Sequence, residues 1–470
     1  MDPALGDVVD RFLVFEERSD LVSERVEGVE AWPLIRSHLL LALVREQVEL
    51  IVGHSSGSVP TLKGAYANAR PRPALSLELV TRIPDARLGA VSSAGLRRKD
   101  PRSGVWVDTI YDRYKEILPE LVLFEDPGPG GHRHPRVPGV YDLDLLHLLA
   151  EVSARASLPR RSKAIRYVRD VRHALEKDGL RVTGALEQST ARILVKALAI
   201  DPLWQRVLDR MRPSLMFVHC ASYGGWRAML CLRCHERGVV TAEVQHGVVN
   251  RYHGAYNYAS RYPSKLRRYL PSFFLTYGSY WDSQLPRFPV QKVAVGCPEW
   301  EPLSRVEVDS NKQSSRGTVL VLSQPTITGM LVNFTEALLR HEPRSLQVVY
   351  RPHPLEVLPE ALRKRLARHP QVLIDGERPL SAQLQQAHTV IGVYSTALFE
   401  AILAGIPVAV LDTPVSRAYL EGHPVHFVRD AEEVIALLES NPSEDSGDVG
   451  MLTLNCRENL LTFIRQNVAR

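Results

Sequence analysis

No run of about 18 or more uncharged apolar residues occurs anywhere in the 470-residue chain, so no membrane-spanning helix is expected. The start, Met1-Asp2-Pro3, lacks a basic segment followed by an apolar one. A cytoplasmic protein is therefore the expectation, with peripheral attachment to the inner face of the cytoplasmic membrane as a variant of it. Cysteine is scarce. Cys220, Cys231, Cys234, Cys297 and Cys456 form an odd, scattered set that argues for reduced thiols and against a disulfide framework. Neither charge dominates: 58 Lys and Arg stand against 53 Asp and Glu, a net charge of +5. That excess is too small and too dispersed for a dedicated nucleic-acid binder, and no nucleic-acid partner is expected. It suits anionic substrates or an anionic membrane surface. Gly-x-Gly-x-x-Gly, Walker A and His-Glu-x-x-His patterns are all missing, as is any Asp cluster suited to a metal. No metal and no tightly held cofactor are expected.

One pattern needs separate treatment. Cys231-Leu232-Arg233-Cys234-His235 matches the spacing of covalent haem attachment, but that chemistry needs export, and a zinc site would need a second ligand pair at suitable spacing. The segment 226–236 also reads as an amphipathic helix, so chance placement on that helix is the favoured reading.

What is present is an α/β pattern. Apolar residues make up 45% of the chain and charged residues 24%, as in globular proteins, and the length allows two domains. Residues 1–52 read as helices and 53–75 as a loop. Short apolar runs follow at 88–93 and 120–124. Residues 141–200 read as two or three helices, one of them basic through Arg160, Arg161, Lys163, Arg166, Arg169 and Arg172. A solvated face is the plain reading of that helix, and contact with an anionic membrane or charged glycan the sharper one. From 215 onward, strands at 215–218, 239–244, 273–277 and 293–296 alternate with helices. A polar, Ser-rich linker is expected at 303–317. Beyond it the alternation resumes, with strands at 319–322, 346–350, 372–374, 389–393 and 408–411 and helices near 328–341, 358–368, 380–387 and 397–404. This predicts parallel sheets covered on both faces. The expected division is a helical plus Rossmann-like unit at 1–302, a second Rossmann-like unit at 318–440, and a tail with a terminal helix at 441–470.

In such sheets ligands bind beyond the carboxyl ends of the strands. In the second unit those ends carry Ser323-Gln324-Pro325-Thr326, Arg351-Pro352-His353-Pro354 and Tyr394-Ser395-Thr396. Ser395 or Thr396 is the expected N-cap of the helix that begins at Ala397, where free N–H groups and the helix dipole favour an anion. The two prolines stiffen the loop around His353, so that its imidazole and Arg351 are expected to meet one phosphate. An ordinary capped helix and a turn histidine would explain the same residues one by one; together they predict an anion site. In the first unit, Gln245-His246-Gly247 ends a strand. Gly247 permits a tight turn, and a histidine with a pKa near 6.5 would suit a general base. The loop with Tyr252, His253, Tyr256 and Tyr258 is expected to stack on sugars or bases, with nucleic acid a lesser alternative. Ser92, Ser93, Arg97 and Arg98 form a weaker candidate, here counted with Gln245, Gly247, Tyr252 and His253 toward an acceptor.

These residues together resemble bacterial capsule and lipopolysaccharide glycosyltransferases of the two-Rossmann (GT-B) architecture, including enzymes that use CMP-activated Kdo or sialic acid and the CDP-glycerol glycerophosphotransferases. The matching residues are His353-Pro354, Ser395-Thr396 and His246-Gly247, within roughly 215–412. The resemblance implies two doubly wound domains facing across a cleft, with His246 opposite His353. It implies a nucleotide sugar, CMP-linked in that group, held by Arg351, His353, Pro354, Ser323, Gln324, Tyr394, Ser395, Thr396 and Glu400. It further implies His246 and His353 as the catalytic pair, and a glycan or lipid-linked glycan acceptor. Gln245 stands where the teichoic acid enzymes carry an aromatic residue, and Phe399-Glu400 where they carry Phe-Asp, which favours a sugar over a polyol-phosphate donor. The alternatives are that glycerophosphotransferase, a nucleotide-sugar epimerase of the same fold, and a non-catalytic glycan-assembly protein.

Overall fold

The computed structural model describes residues 3–52, 83–100, 103–128, 131–302, 317–341, 346–353, 356–440 and 450–468. The loop expected at 53–75, the linker except its last residue, and Pro354 lie outside the described residues. The chain divides into two compact units, one built on residues 5–45, 62–298 and 453–470 and the other chiefly on residues 299–452, with 1–4 and 46–61 grouped with it.

The larger unit begins with the helices Pro3–Arg18 and Trp32–Val52, between which a hairpin pairs β1 (Arg25–Val26) with β2 (Val29–Glu30). Its sheet contains β3 (Leu88–Ser93), β6 (Val122–Asp126), β7 (Val140–Asp142), β8 (Leu215–Val218), β9 (Val240–Val244), β10 (Phe273–Thr276) and β11 (Gln291–Ala294). A second hairpin, β4 (Arg97–Lys99) with β5 (Trp106–Asp108), branches off after β3. The sheet order is β11-β10-β9-β8-β3-β6-β7, and every pairing in it is parallel. Taken in chain order this is 3-2-1-4-5-6 with a seventh strand added, the doubly wound order, and the direction of winding reverses between β3 and β8.

Alternation across the strands explains why both faces are covered. Leu88, Ala90, Leu123, Leu215, Phe217 and Val244 point to one face and join Tyr111, Tyr114, Leu460 and Phe463 in a single core. The terminal helix Cys456–Asn467 therefore completes the core of the larger unit. On the other face Gly89 lies against Met211 and Met216 so closely that a Cβ would stand 2.5 Å from the Met216 sulfur. Phe124 meets Trp204 edge-on, and Trp204 stacks on Trp226.

Residues 141–200 contain three helices, the third running on as Gly184–Met211 beyond the expected end, after Asp144–Ala156 and Leu158–Lys177. Thr183 accepts the Leu186 N–H at 3.2 Å and starts the third, and Arg212 ends it in a left-handed conformation. In the basic helix Arg160 pairs with Glu27 and Arg172 with Glu187, while Arg161, Lys163, Arg166 and Arg169 are exposed. Cys231 and Cys234 face inward from the helix Gly225–Glu236 and His235 faces outward, so the three do not converge on a haem or a metal.

The smaller unit contains β12 (Thr318–Leu322), β13 (Gln347–Arg351), β14 (Val372–Ile374), β15 (Ala387–Gly392), β16 (Val408–Leu411) and β17 (His426–Val428). Its order, β14-β13-β12-β15-β16-β17, is all parallel and again reads 3-2-1-4-5-6 in chain order. Val319, Val321, Val348, Tyr350 and Ile391 bury one face under Leu331, Leu338, Leu366 and Val434. Leu320, Val390, Val408 and Val410 are buried on the other. The strand β17 and the helices Pro414–Leu420 and Ala431–Ser440 had no counterpart in the sequence reading. β17 is three residues of an edge strand that begins on a histidine, too short to show a period.

Candidate functional site

The smaller unit brings three strand ends together around its switch point, between β12 and β15. Ser323 follows β12; its hydroxyl donates to Glu356 at 2.8 Å and accepts from the Tyr350 hydroxyl at 2.8 Å. Thr328 donates to the same Glu356 oxygen at 2.5 Å. The other Glu356 oxygen accepts the backbone N–H of His353 at 2.9 Å. One carboxylate thus fastens the β12 loop to the His353 loop. Across the switch point the hydroxyls of Thr326 and Tyr394 are hydrogen-bonded, which joins the β12 loop to the β15 loop. The Tyr394 ring lies 5.7 Å from that of Tyr419. Gln324 carries a buried side-chain oxygen with no hydrogen-bond partner among the described residues.

Two expectations for this region are sharpened by these contacts. Arg351 Nη1 donates to the Arg378 carbonyl at 2.6 Å and to Gln383 Oε1 at 2.7 Å. The guanidinium is thus anchored through Nη1 toward the loop after β14, because the last residue of β13 leans toward its edge neighbour. At the helix Ala397–Leu403, Thr396 already has helical φ and ψ and makes no side-chain cap; it is Ser395 whose hydroxyl accepts the Ala397 N–H, at 3.3 Å. The helix is only seven residues long, and its dipole is correspondingly slight. Glu400 lies half-buried on its first turn. Gly405 adopts φ of 68° and ends the helix as expected of a C-terminal glycine.

In the larger unit the switch point lies between β3 and β8. His219 and Cys220 follow β8, and the His219 N–H donates to the Val91 carbonyl of β3 at 2.9 Å. His246 follows the adjacent β9. Cys220 Sγ lies 3.2 Å from His219 Nε2 and 3.6 Å from His246 Nε2. The two imidazoles meet edge to face with centroids 4.7 Å apart. The Tyr223 hydroxyl bridges His246 Nε2, at 3.3 Å, and His253 Nε2, at 3.1 Å. Burial pushes His246 down to about 4 and His253 to about 3, so both are neutral at pH 7. The ordinary pKa expected for a histidine base at 246 is therefore replaced by that of a weaker base held in its proton-accepting form. Nearby Glu243 is pushed up to about 7 by burial, and is enclosed by the Ser222 N–H, the Ser222 hydroxyl and the Tyr256 hydroxyl.

The remaining candidates are mostly built into the framework. Gln245 is fully buried, accepting the Tyr277 N–H and donating to the Gly247 carbonyl. Gly247 does not have a positive φ, so the turn there does not demand a glycine. Arg97 is buried and bonded to Glu125 and Asp112, and Arg98 donates to the carbonyls of Gly95 and Arg97. The Ser93 hydroxyl accepts the Gly95 N–H, whereas the buried Ser92 hydroxyl has no partner among the described residues. The aromatic loop turns inward: Tyr252, Tyr256, Tyr258 and Tyr262 are all buried, and Arg36 lies 3.8 Å over the Tyr258 ring. These rings form core, and the expected stacking platform for sugars or bases is not there.

Sequence reasoning passed over Glu356, His219, Cys220 and Tyr223. An acid three residues after His353, able to reach back to its N–H, was the available signal for Glu356, by the logic of a capping box. Among the described residues two groups have the donor set and spacing for a metal ion: His219 with Cys220 and His246, and Glu125 with His132 and Asp142. In the second, Arg97 and Arg136 already neutralise the carboxylates. A hollow of about 620 Å³ lined by Arg87, Leu88, Glu120, Val122, Ile464 and Val468 lies at the amino ends of β3 and β6, the edge opposite to the one where such sheets bind ligands. No helix among the described residues is long and apolar enough to cross a membrane.

No protein-family model matches the sequence, and no curated protein does. Solved structures are similar at low identity. The UDP-GlcNAc 2-epimerase from Methanocaldococcus jannaschii is 10% identical, with 81% of this chain and 99% of that one covered at a TM-score of 0.44. The UDP-GlcNAc 2-epimerase from Neisseria meningitidis bound to UDP-GlcNAc is 14% identical, with 58% and 82% covered at 0.41. A structure of trehalose-6-phosphate synthase is 10% identical, with 81% and 96% covered at 0.39. No activity is assigned to this chain from likeness at that level; its two doubly wound units rest on their own strand order.

Proposed function

We propose that the chain is a nucleotide-sugar-dependent glycosyltransferase that takes its donor at the carboxyl ends of β12, β13 and β15. The observation that carries this reading is the linkage of those three loops at the switch point, through Glu356 on one side and the Thr326–Tyr394 bond on the other. A pre-ordered set of hydroxyls and one imidazole at that place suits a nucleotide phosphate, whose departing charge preformed donors stabilise. The donor is a CMP-activated sugar such as Kdo or sialic acid. The acceptor is a hydroxyl of a capsule, O-antigen or lipopolysaccharide glycan.

An anionic membrane surface is the proposed location of that acceptor. Leu148, Leu149, Val152 and Leu158 are exposed beside the exposed Arg155, Arg161 and Lys163, an apolar and basic combination suited to acidic headgroups. The epimerase alternative needs a carboxylate free to move protons, with Glu243, Asp282 and Glu299 as the candidates; of these Glu243 is sealed in by Ser222 and Tyr256, and Asp282 accepts from the Thr276 hydroxyl.

A thermal-shift panel of CMP, CDP, UDP, GDP and their sugars tests the donor, since a bound nucleotide raises the melting temperature. Cytidine nucleotides are expected to give the largest shift, and CMP-sugar to release CMP only when acceptor is added. Shifts with UDP or GDP and none with cytidine nucleotides would overturn the donor. Conversion of a nucleotide sugar without acceptor would overturn the transferase.

A further inference from the structure

We propose that His219, Cys220 and His246 form a three-ligand site for a divalent metal ion of the zinc class, with a fourth position open to solvent or substrate. The proposal does not depend on the transferase reading, and it replaces the expectation of a metal-free protein.

The geometry is that of a ligand set. Tetrahedral zinc, with bonds of about 2.3 Å to sulfur and about 2.0–2.1 Å to nitrogen, sets its S and N ligands roughly 3.5 Å apart. Cys220 Sγ stands 3.2 Å from one imidazole Nε2 and 3.6 Å from the other, and the three ligand atoms all lie within 4.8 Å of one another. A single thiol proton can satisfy only one of two imidazoles, whereas a metal engages all three groups at once. The donor set, one thiolate and two imidazoles, is borderline-soft and matches zinc or cobalt better than magnesium or calcium.

Backbone strain is the second, independent observation. Cys220 has φ of 54° and ψ of 38°, the left-handed region, which costs a residue with a Cβ roughly 1–2 kcal/mol. Gly224 and Gly225, four and five residues on, also have positive φ, so the chain leaves β8 through a turn built from unusual conformations. That turn places the thiol between histidines from two adjacent parallel strands. The location is the carboxyl edge of the sheet at β8 and β9, beside the switch point between β3 and β8 and on the edge where doubly wound folds place their ligands. Three protein ligands, not four, match the pattern of catalytic rather than structural zinc. When the metal is bound, His246 is a ligand and not the proton acceptor.

The test uses the full chain. After chelation and removal of the chelator, cobalt(II) is titrated in and absorbance followed, and zinc content is measured by mass spectrometry after equilibrium dialysis. One equivalent of metal is expected, with a thiolate-to-cobalt charge-transfer band and the intense d–d bands of tetrahedral cobalt. His219→Ala, Cys220→Ser and His246→Ala should each weaken metal binding at least 100-fold, while Cys297→Ser, remote in sequence from the cluster, leaves it unchanged. Cobalt titration of the unaltered chain decides the matter even where a variant fails to fold: absence of a thiolate band overturns the site. Binding that persists unchanged in Cys220→Ser overturns it equally. Nucleotide thermal shifts that survive chelation, together with loss of the metal, separate failure of this site from failure of the donor site.

Discussion

Replacing Glu356 should weaken nucleotide binding without unfolding the protein. Its carboxylate receives Ser323 at 2.8 Å, Thr328 at 2.5 Å and the His353 N–H at 2.9 Å. In Glu356→Gln the shape is kept, but one oxygen becomes an NH₂. If the amide oxygen faces Ser323 and Thr328, the NH₂ faces the His353 N–H, donor against donor. The reverse orientation turns the NH₂ on two hydroxyls that now donate to the carboxylate, and the Ser323 oxygen already accepts from Tyr350. Either way one donor is left unmatched, at a cost of about 1–3 kcal/mol. Glu356→Ala removes all three bonds, each about 1.5–3 kcal/mol to a charged acceptor, although the losses overlap because all three act on one loop. If the nucleotide needs that loop ordered, the costs appear as affinity: about tenfold for Gln and about 30- to 100-fold for Ala. Calorimetric titration of CMP measures this, with circular dichroism to confirm the fold. Thr335→Val, which removes a hydroxyl bonded to the Leu331 carbonyl inside a helix, is the control and should leave affinity unchanged. Folded Glu356 variants that bind CMP within twofold of the parent would refute the reasoning.

Stability should fall on the alkaline side. Burial opposes a charged His132, but Asp144 and Glu125 outweigh it and raise His132 from 6.5 to about 9, so its contribution is complete below pH 6.5 and disappears as pH rises through 9. The limb between pH 6.5 and 9.5, a fall of a few degrees in melting temperature, belongs to His132 and is flattened by His132→Asn; Asp108 and Glu243, raised by burial to about 7, lose their contribution earlier, as pH climbs from about 4 to 7. Arg36→Met should cost about 3–5 kcal/mol in a denaturant titration, because it strands Glu16, which is only 3% exposed, and the added Glu16→Gln change should recover part of the loss. Gly224→Ala should destabilise by about 2 kcal/mol or more, since φ is +80° and the new Cβ would lie 3.0 Å from the Leu34 carbonyl oxygen; an unchanged melting temperature would contradict the strain. Sedimentation with vesicles should show binding to phosphatidylglycerol and not to phosphatidylcholine, and Leu158→Glu should abolish it.

Period and punctuation in the sequence determined most of the scaffold. Val319 to Leu322 and Leu215 to Val218 are continuous apolar runs ending in polar residues, which is how a strand buried on both faces reads, and both are strands. The helices at 225–236 and 328–341 follow in the same way from their apolar spacing. The strand ends also marked His246, Ser323, His353 and Ser395 as residues at the ligand-binding edge. What the sequence did not contain was direction. Local spacing cannot say that Arg351 leans toward Gln383, that Arg97 lies among Glu125 and Asp112, or that the tyrosines after 251 turn into the core. Those outcomes depend on partners 15 to more than 200 residues away, as with Arg36 bonded to the Asn257 carbonyl. The convergence of His219, Cys220 and His246 is of the same kind. It required β8 and β9 to lie side by side, and a left-handed residue at 220 to turn the thiol between two rings.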